Sequence, residues 1–165
     1  MKLRLFLASL VAVALATVAS AQTKMSGTNE CGKPEAQHML EVGDRPGHAL
    51  AIAQGKCTWT KPWEIEGIQS KAGVSTSSDD IHGSRSRTRG YYVDTMANGD
   101  KAFFRYEGPV TLKEGAAQSA EIKWTLTGGT GKLKGVKGKG TCSGKGGAEG
   151  TFTWECEGEY EVASK

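Results

Sequence analysis

Alternation of apolar and polar residues is the dominant signal in this chain, and it is clearest near the C-terminus. From 150 to 162 the even positions read Gly150, Phe152, Trp154, Cys156, Gly158, Tyr160 and Val162, while the odd ones read Thr151, Thr153, Glu155, Glu157, Glu159 and Glu161. A period of two sends successive side chains to opposite faces, so this segment predicts a strand with one buried aromatic face and one wet acidic face. The glutamates face away from the aromatic residues and read as a solvated surface rather than a carboxylate site. Residues 121 to 127 alternate in the same way, with Ile122, Trp124 and Leu126 on the apolar side. Residues 48 to 60 place Ala49, Ala51, Ala53, Gly55, Cys57 and Trp59 on one face, although Leu50 and Ile52 make the opposite face apolar too.

Asn98-Gly99 separates two further strand patterns, 91 to 96 and 102 to 112. Both residues tolerate positive φ, which makes the pair a strong hairpin signal. Shorter strands are expected near 36 to 42 and 62 to 68, residues 69 to 80 read as a loop, and no long amphipathic helix is evident. The composition agrees: 23 Gly with only 4 Pro in 165 residues and no G-X-Y period excludes collagen and disfavours helices. Seven or eight strands with tight glycine-rich connections predict a single all-β domain, an antiparallel closed barrel of about eight strands, with a β-sandwich as the second choice. Gly138, Gly140, Gly150 and Gly158 within apparent strands favour the barrel, because strand glycines mark bends or close backbone approach.

The first 21 residues, MKLRLFLASLVAVALATVASA, join Lys2 and Arg4 to an apolar run from 5 to 18 and the small residues Ala19, Ser20 and Ala21. This is the pattern of a secretory signal peptide cleaved after Ala21, and it predicts a periplasmic or secreted protein. Residues 22 to 30 are expected to be a flexible mature N-terminus, with the domain spanning 31 to 165. The leader holds two of the 21 basic residues and none of the 18 acidic ones, so the remaining chain carries 19 against 18, about +1 net. That balance gives no reason to expect nucleic acid as a partner, and no second apolar run predicts a membrane span after cleavage.

Cys31, Cys57, Cys142 and Cys156 all follow the leader, and an even count in an exported chain predicts two disulfides. Consecutive strands at 138 to 143 and 150 to 156 bring Cys142 and Cys156 together on a small, apolar face, which leaves Cys31 for Cys57. No C-x₂-C occurs, and His38, His48 and His82 show no ligand spacing around the cysteines, so neither a metal nor another cofactor is expected.

The segment GGTGKLKGVKGKG, 128 to 140, lacks the G-x-x-x-x-G-K-[ST] spacing and the βαβ context of a phosphate loop. It reads instead as a short turn capped by Thr130 that puts Leu133 and Val136 on one side to close a barrel end. Lys132, Lys134, Lys137, Lys139 and Lys145 are then cross-strand partners for the glutamate row. Gly128, Gly129, Thr130, Gly131, Gly135 and Gly138 resemble the glycine-rich signature of allene-oxide-cyclase-like barrels, which include plant dirigent proteins and small secreted bacterial proteins of unassigned role. The resemblance covers about 128 to 162 and is to the bacterial members. It implies an eight-stranded antiparallel barrel with an apolar pocket. None of the acid-base residues of the plant enzymes can be matched here, and no residue is assigned a catalytic role.

Asp79, Asp80 and His82, followed by Arg85, Arg87 and Arg89, read as an Asx-rich turn and a solvated basic edge strand, without a nucleophile motif. Two hairpin registers compete. A two-residue turn at Asn98-Gly99 puts Tyr91 opposite Tyr106 and brings Arg87 and Arg89 to the apolar side; a three-residue turn, 98 to 100, puts Tyr92 opposite Tyr106 and sends the arginines to water. Gly108-Pro109 is a candidate bulge. The first register defines a candidate ligand site of Arg87, Arg89, Tyr91 and Tyr106 at a barrel mouth. The leading expectation is therefore an exported barrel that binds a small, largely apolar or amphipathic ligand. The alternatives are a cofactor-free isomerase or cyclase, or an envelope interaction or inhibitor module acting through loops such as 69 to 80.

Overall fold

The computed structural model describes residues 22–162. The signal peptide expected at residues 1–21 lies outside the described residues. Ten antiparallel strands follow one another: β1 (Thr23–Cys31), β2 (Ala36–Glu41), β3 (His48–Lys61), β4 (Glu64–Ile65), β5 (Ile68–His82), β6 (Arg85–Met96), β7 (Lys101–Lys113), β8 (Ala116–Gly129), β9 (Lys137–Gly146) and β10 (Phe152–Glu161), with 3-10 turns at Gly131–Leu133 and Ala148–Gly150. Eight of them close a barrel in the order β3-β1-β10-β9-β8-β7-β6-β5, shut by pairing of β5 with β3. β2 and β4 lie outside the ring. Closure removes the free edges that a polar, glycine-rich sheet of this size would otherwise present.

The expected loose N-terminus, 22 to 30, is instead a barrel strand. β1 is hydrogen-bonded by β10 on one side and β3 on the other, with Met25, Gly27 and Asn29 turned inward. Its sequence is polar because Gly27 must be small: a Cβ there would strike the Lys61 carbonyl and the Trp59 ring. The expected loop at 69 to 80 is likewise strand β5, the partner of β3 and β6. Gly73, Ser75, Ser77 and Asp79 form its inner face, so the interior there is built from small residues and gives no hydrophobic alternation to read.

β3 joins three strands. Its second half pairs with β1 and its first half with β2, and the chain between these partners stays bonded to β3 through Gly32 N–H to Lys56 O at 3.1 Å and Glu35 N–H to Gln54 O at 2.8 Å. As expected, Ala49, Ala51, Cys57 and Trp59 face inward and are buried; Leu50 and Ile52 face outward and are exposed beside Leu40 of β2.

Both disulfides form as the strand pattern predicted. Cys142 lies directly opposite Cys156 across β9–β10, and Cys31 opposite Cys57 across β1–β3. Between them the core is aromatic: Trp63 lies 5.2 Å from Phe104 and 5.5 Å from Trp124, and Phe104 meets Trp124 edge-on at 5.6 Å. Contacts of this kind contribute roughly 0.5–1.5 kcal/mol each beyond area burial. Gly140 and Gly158 make room for the Trp124 indole, since a Cβ at either position would run into it.

The glycine-rich segment closes one barrel end, with Leu133 and Val136 fully buried beside Ile65. The cap differs from expectation. Thr130 makes no side-chain cap; its Oγ1 accepts the Lys101 N–H at 2.8 Å, and Asp100 Oδ2 takes the Lys132 N–H at 3.1 Å. Gly131 is required there because φ is +52° and a Cβ would collide with the Asp100 carboxylate. Of the five lysines, Lys139 reaches the glutamate row, with Nζ 3.6 Å from Glu159 Oε1.

Candidate functional site

The inner face of β6 carries Ser86, Thr88, Gly90, Tyr92, Asp94 and Met96. Asp94 is completely buried, and it is bound from above by two indoles. Trp59 of β3 donates its Nε1–H to Oδ1 at 3.1 Å, and Trp63, just after β3, donates to Oδ2 at 3.0 Å. Loss of water around the carboxyl pushes its pKa up to about 6, against the pull of these donors toward the ionised form. The arrangement holds two tryptophans in a fixed pose, with their ring centres 4.3 Å apart.

Beyond Trp63 the barrel contains a cavity of about 70 Å³. Phe104, Ile122, Trp124, Trp154 and both disulfides supply its apolar wall; Asn29, Ser75, Tyr92 and Tyr106 supply polar atoms. Tyr106 Oη and Ser75 Oγ are hydrogen-bonded at 2.7 Å. Tyr92 Oη is buried and has no hydrogen-bond partner among the described residues. Burial, with the nearby Asp94 charge, raises the Tyr92 pKa, and burial pushes Tyr106 up to about 12. Both phenols therefore stay neutral and can donate. Gly73 lets the Tyr92 ring lie flat over β5, and Gly90 does the same for Tyr106, since a Cβ at either would meet the phenol. Among the described residues the lining contains no Lys or Arg, and Asp94 is not part of it.

The four residues expected to line a mouth are not brought together. Arg87, Arg89 and Tyr91 project from the outer wall and are exposed, while Tyr106 points inward to the cavity. The physical reason is the turn. Met96 N–H bonds Asp100 O at 2.8 Å, so the connection is the three residues 97 to 99, with Gly99 at φ +87°. Asn98 Oδ1 accepts the Asp100 N–H at 3.0 Å and holds that longer loop. Tyr92 consequently lies opposite Phe104, and Gly90 opposite Tyr106, so both expected registers are corrected: the turn is 97 to 99, Tyr92 does not pair with Tyr106, and of the competing register the outward arginines remain. Arg87 Nη2 sits 3.7 Å from Glu107 on the surface. Gly108-Pro109 stays in register rather than bulging; the irregularities in β7–β8 fall at Phe103/Phe104 and Thr111/Leu112.

Asp94 was missed as an interior residue, and Tyr92 entered only through the competing register, because which side of β6 faces inward depends on that turn. The available signal was parity: Tyr92, Asp94 and Met96 share one face of a strand, and a carboxylate on the same side as Met predicts a buried partner for it. No protein-family model matches the chain, and none of the curated proteins compared with it is a match.

Proposed function

We propose that this protein is an exported binding barrel that accepts a small, neutral, largely apolar ligand carrying one hydrogen-bond acceptor. The observation that carries the reading is the buried, unpartnered Tyr92 hydroxyl at an apolar cavity. Buried polar atoms in folded proteins are overwhelmingly paired, and an orphaned O–H beside empty space is satisfied by a guest such as a carbonyl, ether or hydroxyl oxygen. A lining without a cation argues against an anionic head group. The volume of about 70 Å³ exceeds the roughly 10–15 Å³ needed by one water and falls short of the roughly 300 Å³ at the low end of drug-sized pockets, so one short apolar group of the ligand enters.

Export is supported by the leader pattern and by two disulfides, which persist in oxidising compartments such as the periplasm or the extracellular medium. Kinship with the secreted bacterial allene-oxide-cyclase-like barrels is supported by the eight-stranded closure and by the structural, barrel-capping role of the 128 to 140 segment. Binding is favoured over catalysis because the titratable carboxyl is engaged by two indoles away from the cavity.

Native mass spectrometry of protein purified gently from its own host tests the proposal. A co-purifying neutral adduct is expected, retained less well by Tyr92→Phe and absent from Ile122→Phe, which fills the cavity. Bare protein mass throughout, or an adduct indifferent to both substitutions, overturns it.

A further inference from the structure

At the barrel end opposite the glycine-rich cap, β3 begins and β5 ends with directly opposed histidines, His48 and His82, on the outer face. Their rings stack with centres 4.3 Å apart. Asp80, two residues before His82, shares that face. Its Oδ1 lies 3.1 Å from His48 Nε2 and 3.0 Å from His82 Nε2, and the three ligand atoms all fall within 4.8 Å of one another. Two imidazole nitrogens thus converge on one carboxylate oxygen.

The hydrogen-bond inventory does not close around a neutral His48 without one more proton or a metal ion. Asp44 faces His48 Nδ1 and, as an ionised carboxylate, only accepts, so Nδ1 carries the proton. A neutral His48 then presents its Nε2 lone pair to a carboxylate oxygen, which is repulsive unless a proton or a metal ion lies between them. His82 has its Nδ1 against Arg45 Nη2 at 3.0 Å. His48 is the least exposed member, at 13 % of its side chain, while His82 and Asp80 are open to solvent.

We propose that His48, Asp80 and His82 form a site for a first-row divalent transition ion of the zinc class. Tetrahedral zinc with bonds of about 2.0–2.1 Å needs ligand atoms roughly 3.3 Å apart, close to the two nitrogen–oxygen separations of 3.1 and 3.0 Å here, with the two nitrogens within 4.8 Å of each other. Two imidazoles and one carboxylate suit Zn²⁺, Ni²⁺ or Cu²⁺ and do not suit Mg²⁺ or Ca²⁺, which take oxygen shells. Asp44 supplies the outer carboxylate that fixes the His48 tautomer with Nε2 free, the arrangement that orients metal-bound histidines. Metal on His82 Nε2 requires the ring proton on Nδ1, and so requires the exposed Arg45, whose Nη2 faces that nitrogen, to leave it. Arg85 and Arg87, opposite His82 and Asp80 on β6, set an opposing positive field; Glu107 lies beside Arg87. The remaining coordination positions face solvent, so the ion keeps water there or takes an outside ligand. The site stands on the outer wall and is independent of the interior cavity.

Isothermal titration of the untagged, disulfide-bonded protein with ZnCl₂ at about pH 7.5, above the ordinary histidine pKa, in a non-coordinating buffer tests it, with MgCl₂ as control. One Zn²⁺ per chain and no Mg²⁺ binding are expected. His82→Ala and His48→Ala should each weaken Zn²⁺ at least tenfold. Asp44→Asn, which leaves all three ligand atoms in place, should weaken it about 10–100-fold. Arg45→Ala should bind at least as tightly as the parent. Circular dichroism checks that each variant is folded, and ¹⁵N spectra of the parent imidazoles, in which Zn²⁺ should shift the His48 Nε2 resonance as a bound lone pair and move the His82 proton from Nε2 to Nδ1, give a readout that needs no substitution. No Zn²⁺ uptake by the parent, with both rings only gaining protons as free bases, overturns the site; so does unchanged affinity in folded His48→Ala and His82→Ala.

Discussion

Asp94→Asn isolates the energetic consequence of burying a carboxyl under two indoles. The folded-state value of about 6 stands against about 3.9 for an unfolded Asp, and two units at about 1.36 kcal/mol each amount to about 3 kcal/mol. The sign follows from proton counting. Below about pH 3 both states hold the proton and the contribution is complete; from there to about 6 the unfolded chain releases it while the folded chain keeps it, so stability falls as pH rises, and above about 7 the loss is complete. The carboxamide introduced by Asp94→Asn would still accept from one indole but would turn an N–H toward the other. That mismatch adds a destabilisation of about 1–3 kcal/mol that does not change with pH. Urea unfolding of both proteins with disulfides intact, at about pH 4, 5, 6 and 7, cancels every other titrating group when the two curves are subtracted. The parent's advantage over the variant should shrink by about 2 kcal/mol across that range, the unfolded aspartate being already half ionised at about pH 4. A difference that stays flat, or that grows with pH, would refute the assignment of Asp94 as a raised, desolvated acid.

Non-reducing peptide mapping should recover Cys31 with Cys57 and Cys142 with Cys156; loops closed by residues 26 and 14 apart in sequence give about 3.5 and about 3.0 kcal/mol through the unfolded state, so opening either bridge should lower the melting temperature visibly. Gly158→Ala should destabilise by roughly 1–3 kcal/mol in denaturant melts, because the new methyl meets the Lys139 carbonyl and the Trp124 indole; a neutral result would mean that Trp124 moves freely. Arg89→Ala should leave both stability within about 0.5 kcal/mol and any adduct seen by native mass spectrometry unchanged, as suits an outward side chain; loss of an adduct in this variant would return the site to the outer wall.

Strands with one apolar face were legible in the sequence because burial writes itself into parity. β10 announces itself through Phe152, Trp154, Cys156 and Tyr160, and β8 through Ile122, Trp124 and Leu126. β1 and β5 were not legible, since their inner faces are made largely of Gly, Ser, Asn and Asp, suited by smallness or hydrogen bonding instead of apolarity. The candidate ligand site turned on one turn residue. Ala97 adds a third position to the Asn-Gly loop, and that single step exchanges Arg89 and Tyr91 for Gly90 and Tyr92 on the interior. The histidine pair was hidden for another reason: His48 and His82 are distant in sequence, and only the β3–β5 closure makes them neighbours.

The pairing of β1 with β10 bears on how the chain folds. The two strands run side by side from Thr23↔Tyr160 to Cys31↔Phe152, so the ring is completed by its first and last strands. Every other neighbouring pair except β1–β3 and β3–β5 is a sequential hairpin that can form from a growing segment, but this one has to wait for the last residues to be available. Loop-closure entropy is then met late, and folding is expected to be slow in the manner of proteins dominated by non-local pairing. Until that moment both β9–β10 and β1–β3 expose an unpaired edge. Cross-links at Cys142–Cys156 and Cys31–Cys57 lie within those two strand pairs, each holding a register fixed while its free edge finds the other.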